Sequence, residues 1–254
     1  MKKYYLMMAA AAFLFAACEP KTPDTPDTPE TPDEPEVTIT IDGNFDDWGK
    51  LDQTKVAVAK NNPDSPWDAV KQMRVYAEDE FVYYYIEFDN SQIGELLAAA
   101  QGTYTNSHGE QSENVISMRI NLNTDGEFTS GYENYSLQAY DFIIEGTLAQ
   151  DAKWVSFDGT LHQRIGSWKE LLKPGNSLVM GAGNGNKYEI MLVRSLFNNA
   201  VSASSDPKPM GDTFQTGLRF YSPGWEELSN LPNAAVTDDN SHGWGNLLEV
   251  TFNK

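Results

Sequence analysis

The sequence predicts an all-β protein, an antiparallel β-sandwich of the jelly-roll or immunoglobulin-like kind with one or two short helices in its loops. Three observations favour this fold class. Apolar residues recur at every second position in several segments, turn signals separate those segments, and helical patterns are few. Many short strands with few crossover helices are typical of sandwiches rather than of parallel α/β folds.

The predicted strands follow one another along the chain. VTITI, 37–41, comes first, and EFVYYYIEFD, VISMRINLN and DTFQTGLRFY show the clearest alternation. In EFVYYYIEFD one face carries Val82, Tyr84, Ile86 and Phe88. MRVYA, YDFII, KYEIMLV and LLEVTF are further predicted strands.

Turns and helices are predicted between these strands. The turn signals are Asp125-Gly126, Asp158-Gly159, Pro174-Gly175 and Gly183-Asn184-Gly185-Asn186. Helical patterns occur in SQIGELLAAAQ, 91–101, and RSLFNNA, 194–200, and SWKELL, 167–172, predicts a helical turn.

The N-terminus, MKKYYLMMAAAAFLFAAC, has a basic start and an apolar run that is too short to span a bilayer. FAAC, which ends at Cys18, resembles the lipobox of bacterial lipoprotein signals. The resemblance implies that residues 1–17 are a signal peptide and that Cys18 is lipidated after cleavage. An ordinary secretory signal with a chance cysteine is the alternative. Since Cys18 is the only cysteine, a lipidated mature chain has none for disulfides or metals.

Residues 18–36 contain the lipidated cysteine and a spacer rich in Pro, Thr and Asp. Proline at nearly every third position blocks helix and sheet, so the spacer is expected to be disordered and extended over about 50 Å. Residues 37–254 are predicted to form one β-sandwich domain. We expect an outer-membrane location through the lipid anchor only, with the cell surface or the periplasm as the face that the domain occupies.

Charge excludes several partners. The formal net charge is -19, and removing the signal peptide with Lys2 and Lys3 makes it -21. Nucleic acids and anionic lipid surfaces require basic patches, so neither is an expected ligand. Neutral ligands and divalent cations remain.

Several motifs together resemble family 9 carbohydrate-binding modules and the wider DOMON-like β-sandwich group. They are VTITIDG followed by an acidic residue and Trp48, FVYYYIEFDN, MRINLNTDG, KYEIMLVRSLF and HGWGNLLEVTF. The resemblance implies a β-sandwich that clamps a sugar between tryptophans and carries structural calcium. Some DOMON relatives bind haem, which makes Met118, Met180 or Met191 with a histidine a less favoured alternative. The predicted helix near 92–101 and the long loop 102–114 depart from the pattern.

Asp42, Gly43 and Trp48 are interpreted as a structural corner. Gly43 can take a positive φ, the Asp42 carboxylate can accept backbone N–H groups of the turn, and Trp48 is expected to cap the end of the sandwich core. Calcium ligation by Asp42, Asp46 or Asp47 is the alternative. Adjacent carboxylates on one turn lack the separation that glycoside hydrolysis requires.

A second acidic loop has the oxygen spacing of the first half of a calcium loop, with Asn121, Asn123, Asp125 and Gly126 in sequence. The twelfth position is Tyr132 rather than glutamate, and Glu133 lies one residue late. Asp-Gly after a strand also predicts a plain hairpin. The candidate metal set is therefore Asn121, Asn123, Asp125 and Glu133, with structural calcium as the cofactor.

The candidate ligand site rests on aromatic and planar polar side chains. Sugar rings present apolar faces to exposed indoles, while their hydroxyls need partners such as Glu, Arg or Gln. Trp48 and Trp244 are expected to be buried, and Trp67 and Trp168 are less favoured platforms than those chosen. The candidate ligand-binding residues are Trp154, Trp225, Glu87, Arg119 and Gln215.

No catalytic motif supports an enzyme. HExxH and GxSxG do not occur, and His108, His162 and His242 lie far apart in sequence. The favoured hypothesis is a non-catalytic glycan-binding lipoprotein that captures oligosaccharide or polysaccharide beside an outer-membrane uptake complex. A structural or protein-interaction lipoprotein, for assembly or adhesion, is the main alternative.

Changing Cys18→Ala should abolish lipidation, because the thiol that receives the acyl chain is lost. We expect an unprocessed or soluble protein in place of an anchored one, measured by detergent phase partitioning. A variant whose signal peptide is cleaved and that still partitions like wild type would contradict the lipoprotein assignment.

Overall fold

The structure is a computed structural model. It describes residues 38–90, 92, 104–105, 111–112, 115–129, 131, 139–149, 154–165, 167–172, 177–201, 208–222 and 226–253. For residues 104, 105, 111, 112, 115, 149, 154–165 and 167–169 it describes the backbone alone. Cys18, the spacer and the predicted helix 91–101, apart from Gln92, lie outside the described residues.

Fourteen strands and one α-helix make up the regular structure of the described residues. The strands are β1 Ala57–Lys60, β2 Val70–Glu78, β3 Phe81–Phe88, β4 Tyr104–Thr105, β5 Gln111–Ser112, β6 Val115–Asn123, β7 Phe142–Ala149, β8 Trp154–Ile165, β9 Ser167–Leu172, β10 Val179–Asn184, β11 Lys187–Val193, β12 Thr213–Tyr221, β13 Glu227–Leu231 and β14 Leu248–Thr251. The helix is α1, Arg194–Val201, and 3-10 turns span Phe45–Gly49 and Gln53–Lys55. Among the described residues, no helix is long and apolar enough to cross a membrane.

The strands form an antiparallel β-sandwich, as predicted. Hydrogen bonds connect them in the order β1-β2-β3-β11-β10-β8-β7-β6-β12-β13, with β14 also on β12 and β9 on β8. Among the described residues, only two pairs join β10 to β8. We take this narrow junction as the passage from a first layer (β1, β2, β3, β11, β10) to a second layer (β8, β7, β6, β12, β13, β14).

The main core lies between the layers. Phe88 on β3 meets Phe220 on β12 edge to face, with ring centroids 5.3 Å apart. The hydroxyls of Tyr84 and Thr216 are hydrogen bonded across the same space at 3.1 Å. Helix α1 adds Phe197, whose fully buried ring lies 5.1 Å from that of Phe142. The alternation predicted for β3 is confirmed, because Val82, Tyr84, Ile86 and Phe88 all belong to this core.

Some local predictions were wrong. VTITI is not a strand over its described part, Thr38–Ile41. SWKELL is strand β9 rather than a helical turn, because it pairs with β8. Asp158-Gly159 lies inside β8, where the register against β7 shifts, so a bulge replaces the predicted turn. RSLFNNA is helical, as predicted.

The segment after the spacer packs on the outer face of the first layer. Ile39, Trp48, Leu51 and Val56 form a second apolar cluster there with Tyr83 and Tyr85. Trp48 is 1% exposed. It is buried as predicted, but it covers this outer face and does not cap the end of the main core. Because β3 is apolar on both faces, each face needs a cover of its own.

The buried carboxylate of Glu189 on β11 fixes this segment. One oxygen accepts the backbone N–H groups of Asp42 and Gly43, both at 2.8 Å, and the other accepts the indole N–H of Trp48 at 3.4 Å. Gly43 has φ 79°, and the Asp42 carboxylate accepts the N–H of Asn44 at 2.7 Å. The predicted corner is thus confirmed, although the residue that anchors it was not foreseen.

Changing Glu189→Gln should destabilise the domain by about 1–3 kcal/mol, because one acceptor oxygen becomes a donor that faces buried N–H groups. The measurement is the free energy of unfolding in urea. Glu249→Gln, at an exposed position of β14, is the matched control and should change the same quantity by less than about 0.5 kcal/mol. Equal effects of the two changes would refute the anchoring role.

Candidate functional site

A row of polar side chains crosses the outer face of the second layer. In β6 and β12 the core-facing residues alternate with polar ones, and the strand register brings the polar ones side by side. Arg119 pairs with Glu145 on β7 and with Arg219 on β12, and Arg219 pairs with Asn230 on β13. We call these four residues the polar row. Four adjacent strands each contribute one planar hydrogen-bonding group to it.

Arg119 and Glu145 form the more accessible end of the polar row. Nε and an Nη of Arg119 both bind the same oxygen of Glu145, at 2.8 and 2.7 Å. Their side chains are 13% and 27% exposed. The guanidinium lies over the ring of Tyr221, 4.8 Å from its centroid. Burial alone would lower the pKa of Arg119, but Tyr221 and Glu145 raise it above its ordinary value, so the group is charged.

Arg219 is buried beneath Trp244. Its guanidinium carbon lies 3.6 Å from the centroid of the indole and 5.3 Å from that of Tyr140. The indole N–H of Trp244 binds both oxygens of Glu227, at 2.9 and 3.0 Å, and Asn230 donates to one of them at 2.9 Å. The segment 232–247 thereby rests on the buried end of the polar row, and Trp244 is buried as predicted.

The predicted ligand residues fall on two different faces. Arg119 belongs to the polar row, and Gln215 lies on the same strand face of β12, opposite Asn123. The buried Oε1 of Gln215 accepts no hydrogen bond from the described residues. Glu87 is on the outer face of the first layer, where Lys71, Gln72 and Tyr85 donate to it. Burial alone would raise the pKa of Glu87, but these hydrogen bonds lower it below its ordinary value.

Of the two predicted tryptophan platforms, Trp154 has a described backbone and Trp225 is not described. Trp154 opens β8, opposite Ala149, and its side chain is not described. Trp225 lies in the connection from β12 to β13, outside the described residues. Since Val115 pairs with Ala149 and Ser117 with Tyr221, the start of β8 and the end of β12 lie at one edge of the layer. Three strand spacings, about 14 Å, separate β8 from β12.

The predicted metal residues take part in a turn. The Asn123 amide donates to the carbonyls of Glu127 and Ala139, and its oxygen accepts the N–H of Gly126. Asp125 accepts the N–H of Glu127 at 2.8 Å. These oxygens are thus used by the turn itself. Asn121 is a buried residue within β6, and Glu133 lies outside the described residues.

No group of three or more His, Cys, Asp or Glu side chains in the described part of the chain could hold a metal ion. The four predicted ligands, Asn121, Asn123, Asp125 and Glu133, therefore stay a prediction.

Asp141 is a second buried carboxylate that fixes a turn. It is 3% exposed, and it accepts the N–H of Thr124 at 2.8 Å. Burial raises the pKa of Asp141 to about 7, the nearby charge of Asp125 adds to the rise, and the hydrogen bond from Thr124 opposes it. This group titrates near neutrality and marks the end of β6 next to the polar face.

Several residues of this face were missed from sequence. Arg119 was found because VISMRINLN alternates clearly, whereas Glu145, Arg219 and Asn230 become its neighbours only through strand register. Glu227 was missed because its strand is short and carries only one charged side chain. Trp244 was foreseen as buried, but its contact with Arg219 was not.

No protein-family model matches this chain, and a search of curated proteins finds no match. The likeness to family 9 carbohydrate-binding modules therefore rests on sequence motifs.

Changing Asp141→Asn should flatten the dependence of stability on pH. Above about pH 4 the unfolded aspartate has lost its proton while the folded one keeps it up to about pH 7. The stabilising contribution of Asp141 is therefore fully present in acid and is lost as the pH rises through 7. From pH 4.5 to 7.5, the unfolding free energy of the variant should rise relative to wild type by about 3 kcal/mol.

Urea denaturation at pH 4.5, 6 and 7.5 measures this difference. Asp68→Asn, at an exposed aspartate, is the control and should follow the wild-type curve. Parallel curves for wild type and Asp141→Asn would show that this carboxyl does not titrate near neutrality.

Proposed function

We propose that this chain is a non-catalytic glycan-binding lipoprotein that captures neutral oligosaccharide on the outer face of its second layer. The polar row is the observation that carries the proposal. It presents the guanidinium and carboxylate of Arg119 and Glu145, partly accessible, above the buried ring of Tyr221. Planar groups that donate and accept in pairs suit vicinal hydroxyls.

The charges favour a neutral ligand. Two arginines, Arg119 and Arg219, lie beside two glutamates, Glu145 and Glu227, so their formal charges cancel. The whole chain has a net charge of -19, which repels polyanions at longer range. A neutral sugar gains hydrogen bonds from such a balanced pair without the cost of moving an uncompensated charge out of water.

The other outer face suits this role less well. Ile39, Trp48 and Leu51 cover part of it, and Glu87 already accepts three hydrogen bonds there. Trp154 and Trp225 are proposed as platforms at the edge of the second layer. The separation of about 14 Å between their strands fits an oligosaccharide of several units better than a single clamped ring.

The anchor and the remaining partners belong to the same proposal. Cys18 would hold the protein in the outer membrane, and the spacer would carry the domain away from lipid. A capturing module of this kind would work beside an outer-membrane uptake complex. Calcium, if bound by the 121–133 loop, would have a structural role.

A glycan array, run with calcium and again with a chelator, tests the proposal. We expect micromolar to millimolar affinity, about -4 to -8 kcal/mol, because shallow sites exchange water for hydroxyl hydrogen bonds with little net gain. Arg119→Ala should lower the affinity for the best array glycan about tenfold or more, since hydrogen bonds to charged groups contribute most.

Lys71→Ala is the matched control, because it removes the cation of the Lys71–Glu87 pair on the first layer. It should leave the affinity unchanged. In the same assay Trp154→Ala and Trp225→Ala should each weaken binding and leave the fold intact, whereas Trp48→Ala should cost about 3–5 kcal/mol of stability. If the wild-type domain binds no glycan, the proposal is wrong and a protein-interaction module becomes the better interpretation.

A further inference from the structure

An exposed histidine ring lies flat against the buried tryptophan of the site. The imidazole of His242 stacks on the indole of Trp244, with centroids 4.4 Å apart and planes 19° from parallel. The His242 side chain is 51% exposed, although its Nδ1 is only 3.9 Å from a carboxylate oxygen of Glu227. Arg219 also packs against this indole. The three planar groups Arg219, Trp244 and His242 lie in contact in that order.

Several hydrogen bonds fix the loop backbone around His242. The carbonyl of His242 accepts the indole N–H of Trp67 at 2.6 Å. The side chain of Asn240 binds both the N–H and the carbonyl of Trp244, at 3.1 and 2.8 Å. Gly243, at φ 62°, donates to the carbonyl of Asn240 and accepts the N–H of Ala234. Loop tips are ordinarily mobile, so this degree of fixation sets the orientation of an exposed ring in advance.

The surroundings of His242 extend the proposed glycan site. Val236 is 49% exposed, and Trp67 is half-buried next to Gly243. The stack meets the polar row at Arg219, so rings and planar polar groups run from Glu145 across four strands to His242. Three strand spacings are about 14 Å. One sugar unit cannot contact both ends of such a strip.

We propose that the exposed face of His242 is a second subsite, on which a further unit of a neutral linear oligosaccharide stacks after the first unit has bound at Arg119 and Glu145. This inference rests on the proposed function and adds to it the size of the ligand and a specificity residue. A ring that is fixed before binding loses little conformational freedom when a ligand packs on it, and therefore contributes more of its contact energy.

The test measures affinity against chain length. The full chain is titrated with gluco-, xylo- and manno-oligosaccharides of one to six units. We expect wild-type affinity to rise with length, and His242→Ala to lower the affinity for the longest bound oligosaccharide about three- to tenfold while leaving that for the shortest unchanged. His242→Phe, which keeps a flat ring, should restore the gain. Asp239→Ala, at an exposed position of the same loop, is the control.

The possible outcomes distinguish the His242 subsite from the proposed site at Arg119 and Glu145. If Arg119→Ala weakens binding at every length while His242→Ala binds like wild type, the subsite is wrong and the proposed function stands. If His242→Ala weakens binding equally at all lengths, the ring only supports the loop, and the subsite is again wrong. If wild type binds none of these oligosaccharides and no glycan of the array, both the proposed function and the subsite are overturned.

Discussion

The fold depends on one buried carboxylate that accepts hydrogen bonds from a part of the chain far away in sequence. Glu189 is in the middle of β11, yet it provides acceptors for the backbone of Asp42 and Gly43 and for the indole of Trp48. Without these acceptors, the turn would place N–H groups in an apolar environment at a cost of about 1–3 kcal/mol each. With them, Trp48 and its neighbours can cover the aromatic outer face of β3. Asp141 likewise accepts a backbone N–H in the turn after β6, so a buried carboxylate stabilises a turn in each layer.

This arrangement gives the two outer faces different characters. In β3 the residues that face outward are largely aromatic, and they are buried under the N-terminal segment. In β6 and β12 the outward positions include Arg119 and Arg219, which end in rigid polar groups and lie against aromatic rings. The core-facing residues of β3, β6 and β12 are similar. The two outer faces therefore differ because the outward-facing residues of these strands differ. Among the described residues, the segment 232–247 rests on the buried end of the polar row, while the side chains of Arg119 and Glu145 stay partly exposed.

Sequence predicted the parts of this structure that depend on local periodicity. The alternation in β3, β6 and β12 and the helix at RSLFNNA follow from patterns within a few residues. The helical prediction for SWKELL was wrong. Trp168, Leu171 and Leu172 have helical spacing, but the segment pairs with β8 as a strand.

The candidate site is formed by strands that pair although they are far apart in sequence. Arg119 is identifiable in its own strand, but its neighbours Glu145 and Arg219 are set by register, which the sequence does not state. The anchoring role of Glu189 was not predicted. The one indication of it was that KYEIMLV, an otherwise apolar strand, carries an acidic residue at this position.

The position of the Glu189 bonds also has a mechanical consequence. If the domain is tethered and captures a polymer as proposed, the pull would enter the described part of the fold at Thr38 and pass along the segment that leads to Gly43. Among the described hydrogen bonds of that segment, those to Glu189 are the ones that connect it to the sheet. They would carry the load in parallel with the packing of Ile39. Detachment of this segment would lengthen the tether and remove Ile39 from the second apolar cluster, while Trp48 still packs on Tyr85. The hydrogen bonds to Glu189, which complete the fold at rest, would therefore also bear the mechanical load on the tether.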